Sequence, residues 1–405
     1  MGRGLTLRHG GKPYMIFQTL DDKTECVGVY VDGKLHFDKI PEDLTHTWKY
    51  AGSMADPNIK YAWLYCEGLP LQEACPEDHK ERLEAVRRKL RAYKKSLVIA
   101  KVDLNDHCVF DLIPKDFLME LCEAKNLVTQ HVFDTYPKPR NYSHLCDVQR
   151  LIHKIKHQRL NLNNKGCRHL YMSHATGHKI NGWINRPQYV DYNLFGTVTG
   201  RLTTFENSFP MLTLKKVFRR IIKPHNDLFV SYDYNGAEIR TLLHLSGKKQ
   251  PEGDIHQWNI DHVFKREIDR DLAKTLFFGW LYNPDSTMFD QTVYDKEKLL
   301  DHWYTDGYIT TPYKRRIKVS RRKAFNYLIQ STTADRVLEK AVIIDELLES
   351  KKSFISHIMH DEIVLDFHKD DVKMLPVIKN IFETEDFKTN IKGGKNYFDL
   401  EAMTP

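Results

Sequence analysis

No apolar run in these 405 residues approaches the ~20 that a membrane span needs, and the opening stretch MGRGLTLRHGGKPY lacks the apolar core of a secretory signal. Both absences lead to the expectation of a soluble, cytoplasmic protein with no membrane partner. Cysteine is sparse and unpatterned: seven residues, an odd count, all fall between Cys26 and Cys167 with no CxxC pair. Neither a disulfide framework nor a zinc module is indicated. A zinc site from His144, Cys146, His169 and Cys167 is the alternative, and reduced, buried thiols are the preferred reading. Charge of one sign is in modest excess: a net +7 fits a polyanion partner without requiring one. What is present is core-forming material, 41% hydrophobic and 11% aromatic, enough for two to three domains at this length.

The chain is organised around Leu228 to Gly247, LFVSYDYNGAEIRTLLHLSG. A run with strand propensity delivers Asp233 at its end, and a helical pattern with Ile239, Leu242, Leu243 and Leu245 follows. The spacing of Asn235 to Glu238 also fits a capping box, in which Glu238 would only tie down the helix start. A second acid, Asp361, stands at the polar tip of an expected hairpin over Ile355 to Phe367. Two such carboxylates brought together by folding can hold two divalent cations, the arrangement that in-line phosphoryl transfer uses.

In chain order, residues 1–112 read as a small α/β unit with candidate strands Tyr14–Leu20, Cys26–Val31, Tyr61–Cys66 and Leu97–Val102. A charged helix, PEDHKERLEAVRRKLRAYKK, leads into the last strand, and its cations are expected on a solvated face. Residues 113–190 carry helical signals, and Gly196 to Thr204 and the basic run Leu214 to Lys223 follow. Arg201 there suits a phosphate or base-edge contact as well as a solvated turn. Arg270, Lys274, Phe278 and Tyr282 are four apart, and at 3.6 residues per turn they form one stripe. Two cations then two aromatics can hold a triphosphate and stack a base, although an ordinary amphipathic helix reads the same way. Pro284 ends that helix. Arg322, Asn326 and Gln330 form another stripe able to reach minor-groove acceptors.

TGRLTT, DYNGAEIR, RDLAKTLFFGWLY, RRKAFNYLIQSTTAD and IMHDEIVLDF, in that order, closely resemble the successive signatures of family A, DNA polymerase I-like, DNA polymerases. The resemblance covers residues 180–370 and extends more weakly to a thumb-like region before them. It implies an α/β (α+β) right-hand fold with palm, fingers and reduced thumb behind a small α/β domain. The implied domains are 1–112 (degenerate exonuclease or accessory), 113–190 (thumb-like), 191–250 and 311–405 (palm) and 251–310 (fingers). The implied activity is template-directed DNA synthesis on a primer-template from deoxynucleoside triphosphates, with two magnesium ions that manganese can replace.

Carried over by position, the resemblance makes Asp233 and Asp361 metal ligands, with Glu362 beside them and His360 near the primer terminus. Glu238 resembles the steric gate against a ribose 2′-hydroxyl, while Arg270, Lys274 and His256 resemble triphosphate contacts. Phe278 looks like the residue under sugar and base, Tyr282 like the one beside the templating position, and Arg201, Arg322, Asn326 and Gln330 like the minor-groove contacts. Departures are Gly236-Ala237 where the family has glutamine and an aliphatic residue, Asn283 and Ser331 in place of glycines, and a short link from Tyr282 to Thr311. The link implies trimmed fingers and a need for a processivity factor. A family exonuclease would open with Asp-x-Glu on a strand, whereas Tyr14–Leu20 is followed by Asp21-Asp22, so proofreading is expected to be absent or supplied by a separate exonuclease. The overall form resembles a phage-type replicase. The alternatives are an RNA-synthesising relative, which Glu238 argues against, and a catalytically silent DNA-binding subunit, which the two aspartates with Arg270 and Lys274 argue against.

A phenylalanine at 278 has no hydroxyl to stand in for a missing 3′-hydroxyl. Competition between dideoxy and deoxy substrates on a labelled primer should therefore show strong preference for deoxy; equal incorporation would contradict the assignment of Phe278.

Overall fold

The computed structural model describes residues 14–404 apart from 22–25, 55, 105–106, 266, 287 and 289–292. The amino-terminal stretch, Asp22 and the His169 side chain, each part of an expectation above, lie outside the described residues. The chain divides after Tyr142 into two compact units.

The first unit contains an antiparallel meander, β1 (Phe17–Asp21), β2 (Cys26–Val31) and β3 (Lys34–His36). Asp32-Gly33 joins β2 to β3 with both residues at positive φ, 48° and 77°, the Asp-Gly geometry that matches strand twist. Two helices follow, α1 (Glu77–Ile99) and α2 (Lys115–Thr135). Two expected strands do not form. Tyr61–Cys66 is extended only at Lys60–Tyr61 and then turns into a short helix, Ala62–Tyr65. Leu97, Val98 and Ile99 continue α1, because extending an existing helix adds a hydrogen bond per residue, and Val98 and Ile99 lie exposed with no sheet to cover them.

The expected boundary near residue 112 also moves. α2 belongs with the first unit, packing against α1 and the strands and burying Phe117, Leu118, Leu121, Val128 and Val132. The α1 cations meet acids rather than facing solvent alone: Arg82 pairs with Glu123 at 2.5 Å, Lys89 with Glu120 at 2.8 Å and Arg91 with Glu84 at 2.6 Å. No disulfide joins the described thiols of Cys66, Cys75, Cys108, Cys122, Cys146 and Cys167, and burial pushes those of Cys66 and Cys122 up to about 11.

The second unit is built on β4 (Leu228–Tyr234) and runs on through α3 (Ala237–Leu245), α4 (Ile255–Asn259), α5 (Arg270–Tyr282), α6 (Lys296–Trp303) and α7 (Arg321–Leu348). The hairpin β5 (Phe354–Met359) and β6 (Glu362–Phe367) follows, then α8 (Met374–Phe382), β7 (Thr389–Gly394) and β8 (Glu401–Ala402). These strands make one antiparallel sheet in the order β5-β6-β4-β7-β8. β4 is central and buried on both faces, which suits its β-branched and aromatic residues. Its Tyr232 and Tyr234 point to one face, where their hydroxyls donate to the Leu375 and Phe382 carbonyls of α8 at 3.1 and 2.8 Å. Ser231 and Asp233 therefore point to the other.

A second core gathers Ile239, Leu242 and Leu243 of α3, Phe277, Trp280 and Leu281 of α5, Leu299 and Leu300 of α6, and Phe325 and Leu328 of α7. This core fixes α5 against α7. Deeper in α7, Asp335 is fully buried and takes two bonds from the Arg315 guanidinium, at 2.8 and 2.6 Å. Burial raises that carboxyl, but the charge and hydrogen bonds of Arg315 overcome it and hold Asp335 below its usual value. Gly200 lies under the same guanidinium at φ 78°, where an added Cβ would stand 2.4 Å from it. The glycine of TGRLTT is thus required by Arg315 and by its own backbone angle. Among the described residues no helix is long and apolar enough to cross a membrane.

Candidate active site

Strand register assembles the acidic corner. Asp233 of β4 stands opposite Glu362 of β6, and the β5–β6 hairpin turns through His360-Asp361 with His360 at φ 56°. Asp233 and Asp361 both line a cavity of about 510 Å³. Burial and the charges of Asp361 and Glu362 push the Asp233 carboxyl up to about 7, with Lys392 and Lys274 acting against the rise. Burial raises Asp361 as well. Carboxylates placed this way gain from a cation, and oxygen donors suit a hard divalent ion. Among the described residues no three His, Cys, Asp or Glu side chains form a metal cage.

Glu362, opposite Asp233, has hydrogen-bond donors of its own. Its two carboxylate oxygens accept from the Ser231 hydroxyl at 2.5 Å and the Tyr397 hydroxyl at 2.7 Å, and it does not line the cavity.

The facing wall comes from α3, α4 and α5. The 13 residues of α5 have the bounds that the sequence pattern predicts, with Asp269 capping the start by accepting from the Asp271 and Leu272 amides. Ala273, Phe277, Trp280 and Leu281 are buried, and Arg270, Lys274, Phe278 and Tyr282 line the cavity. Phe278 and Tyr282 stack, with ring centroids 5.8 Å apart and planes 17° from parallel. The Tyr282 hydroxyl donates to Glu238 at 2.5 Å, and the Arg201 guanidinium bonds the other oxygen of the same carboxylate. The capping box is therefore not realised: Gly236, in left-handed conformation at φ 68°, is the N-cap, and Glu238 faces the cavity between two donors. A Cβ on Gly236 would meet Ile255 at 2.3 Å, which explains the glycine at that departure from the family pattern.

Arg270 and His256 are set by residues that sequence reasoning missed. Asp254 caps α4, accepts from Asn235 and pairs with Arg270 at 2.7 Å. Burial would raise the Asp254 carboxyl, but the bonds from Arg270, Asn235 and the Gln257 amide hold it well below the usual range. Arg240, fully buried, bonds the carbonyls of Asn235, Pro251 and Gly253 and shapes the loop that presents Asp254. Burial and the Arg270 charge push His256 down to about 4, so it is neutral at physiological pH, and its Nδ1 is buried without a partner. Lys274 has no hydrogen-bonding or ion-pair partner among the described residues.

The cavity thus brings together Arg201, Asp233, Glu238, His256, Arg270, Lys274, Phe278, Tyr282, His360 and Asp361. It does not include Arg322, Asn326 or Gln330. Arg322 pairs with Asp285 at 2.6 Å and is exposed, while Asn326 and Gln330 are half-buried along α7. Thr333 and Ala334 of α7 and Asn390 of β7 line the cavity unforeseen. Asn390 stands opposite Asp233 across a strand pairing that no local pattern announces.

No protein-family model matches the chain. It is 26% identical over 231 residues to the thermostable DNA polymerase I of Thermus aquaticus, covering 44% of this chain and 28% of that protein. Over 273 residues it is 25% identical to DNA polymerase I of Synechocystis sp., covering 50% and 28%. Over 173 residues it is 29% identical to the DNA polymerase of Mycobacterium phage D29, covering 34% and 28%. The aligned regions thus span little more than a quarter of the length of these curated relatives. Among solved structures, the POL domain of Pol1 from M. smegmatis, in complex with DNA primer-template and dNTP, matches with a TM-score of 0.53 at 13% identity, covering 70% of this chain and 76% of that one. That likeness shows the fold, a polymerase fold. In its ordered motifs, its relatives and its architecture, the chain is similar to the polymerase core of the family A, DNA polymerase I-like, group.

Proposed function

We propose that the chain is a template-directed DNA polymerase that adds deoxynucleotides to a primer 3′ end. The observation that carries this reading is one cavity in which two half-buried acids face a helix bearing Arg270, Lys274, Phe278 and Tyr282. Asp233 and Asp361 would hold two magnesium ions, with manganese as substitute, which when bound activate the primer hydroxyl and neutralise charge on the leaving pyrophosphate. Lys274, unpaired, supplies a mobile positive charge for the triphosphate, and Arg270 joins it by exchanging Asp254 for a phosphate. His256, neutral, donates a single hydrogen bond there. The stacked Phe278 and Tyr282 offer a flat face to the base of the incoming nucleotide.

Substrate choice follows from Glu238. Because Arg201 and Tyr282 hold both of its oxygens, the carboxylate cannot swing aside, and a ribose 2′-hydroxyl would meet a fixed acid. Arg201 therefore acts through Glu238, and the α7 stripe of Arg322, Asn326 and Gln330 takes the product duplex beyond the cavity. Glu362 acts from behind the metal site. In this reading residues 191–250 and 311–405 are the palm, 251–310 the fingers and 143–190, the part of the expected thumb-like region that falls in the second unit, the thumb-like region, with primer-template DNA and deoxynucleoside triphosphates as ligands. A processivity factor and a separate exonuclease are the further partners proposed for replication, in a host cytoplasm if the source is viral.

The Asp233 carboxyl gives a pH signature in the metal-free protein. Its folded value of about 7 lies above the ordinary 3.8 of an aspartate, so an electrostatic penalty on folding is absent well below that ordinary value, grows as the pH rises towards 7, and is complete above it. In EDTA, Asp233→Asn should melt a few degrees above wild type at pH 8 and keep only a small part of that gain at pH 4.5; an equal gain at both would place the strain elsewhere.

The reading itself is tested by extension of a labelled primer-template with deoxynucleotides and magnesium. Wild type should extend, and Asp233→Asn and Asp361→Asn should each fall below about one thousandth of its rate, roughly 4 kcal/mol of transition-state stabilisation. A mismatched 3′ end should persist. Wild type that folds, binds DNA and extends nothing would overturn the assignment.

A further inference from the structure

We propose that Lys296 is a positioning residue for nucleotide selection, pinning the C-terminal end of α5 so that Tyr282 stays locked on Glu238. The inference rests on the polymerase reading and adds a residue that no motif of the sequence marks.

The last carbonyls of a helix have no partner within it. At the end of α5 two carbonyls of this stretch, those of Trp280 and Asn283, accept from the Lys296 ammonium at 2.7 and 3.0 Å. The same ammonium lies 4.3 Å from the Trp280 ring centroid and 5.3 Å from that of Phe325. Lys296 is half-buried and makes no ion pair with an acid among the described residues; rings, carbonyls and the negative end of the α5 dipole face its charge. Burial accordingly pushes it down to about 8. Lys296 is the first residue of α6 and Phe325 belongs to α7, so this one side chain ties three helices together.

The two ends of α5 are held differently. At the N-terminal end the tie is the Arg270–Asp254 pair, partly exposed and available for exchange with phosphate. At the C-terminal end the tie is Lys296, in an aromatic setting with no paired acid among the described residues. The helix is therefore fixed where Tyr282 meets Glu238 and free to adjust where Arg270 and Lys274 meet phosphate. Tyr282 lies two residues beyond Trp280, and its 2.5 Å bond to Glu238 leaves little latitude. A shift of an ångström in the last turn would break that bond and release the acid that screens the sugar.

The test compares wild type, Lys296→Met and Lys296→Arg in single-nucleotide incorporation, with thermal melting beside it. Lys296→Met keeps the apolar stem and loses both carbonyl bonds. It should raise KM for the correct deoxynucleotide roughly tenfold, change kcat less than about threefold, and narrow discrimination against ribonucleotides. Lys296→Arg, which can still donate to both carbonyls, should recover most of the KM. A wild-type KM and wild-type sugar discrimination in Lys296→Met would overturn the proposal. So would a loss in which kcat and melting temperature fall together and arginine restores nothing, since that describes packing alone. If the methionine variant does not fold, Lys296→Gln is measured against the same criteria. Failure of wild type to extend a primer would instead remove the polymerase reading on which the proposal stands.

Discussion

Two half-buried carboxylates, Asp233 and Asp361, repel each other, and the second unit is arranged to keep them together nonetheless. The pairing of Asp233 with Glu362 across β4 and β6, continued by the tight turn at His360-Asp361, makes that proximity a property of backbone hydrogen bonds. Slippage of one residue would send Asp233 to the α8 face, where the tyrosines are packed. The repulsion is a cost that folding bears and that a divalent cation would relieve. Glu362 adds its charge to that repulsion from outside the cavity, where Ser231 and Tyr397 hold its two oxygens.

The opposite wall works by restraint of a different kind. Arg201, Glu238 and Tyr282 come from a loop and two helices, and their mutual bonds hold a bulky acid still at the edge of the cavity. Asp254 and Arg240 order the approach to Arg270, and the Arg315–Asp335 pair sets Gly200, next in sequence to Arg201, against α7. Positive charge near the acids is thus supplied by side chains that are either committed to a named partner or, like Lys274, unpaired among the described residues. A cavity arranged in this way can accept a polyanionic substrate without first dismantling its own core.

Much of this was legible because the informative residues sit on regular elements. The spacing of Arg270, Lys274, Phe278 and Tyr282 predicted one helical face, and two apolar runs around His360-Asp361 predicted a hairpin tip; both stand as expected. Glu238 was ambiguous because a capping box and a cavity-facing acid share one spacing, and only the tertiary positions of Arg201 and Tyr282 separate them. Leu97 to Val102 misled because β-branched residues suit strands, whereas here they end a long helix with no sheet partner. Asn390, Arg240 and Lys296 left no local signal, since each acts through contacts made across the fold. The first unit was read too short for the same reason: α2 shows its allegiance through packing, not composition.

The central claim is that Asp233 and Asp361 form one metal site facing a nucleotide held by α5. Manganese anomalous diffraction on the protein with a dideoxy-terminated primer-template and a matching deoxynucleoside triphosphate tests it directly. Two anomalous peaks within coordination distance of both aspartates, with the triphosphate against Lys274, are the predicted result. Peaks elsewhere, or a triphosphate bound away from α5, would contradict it.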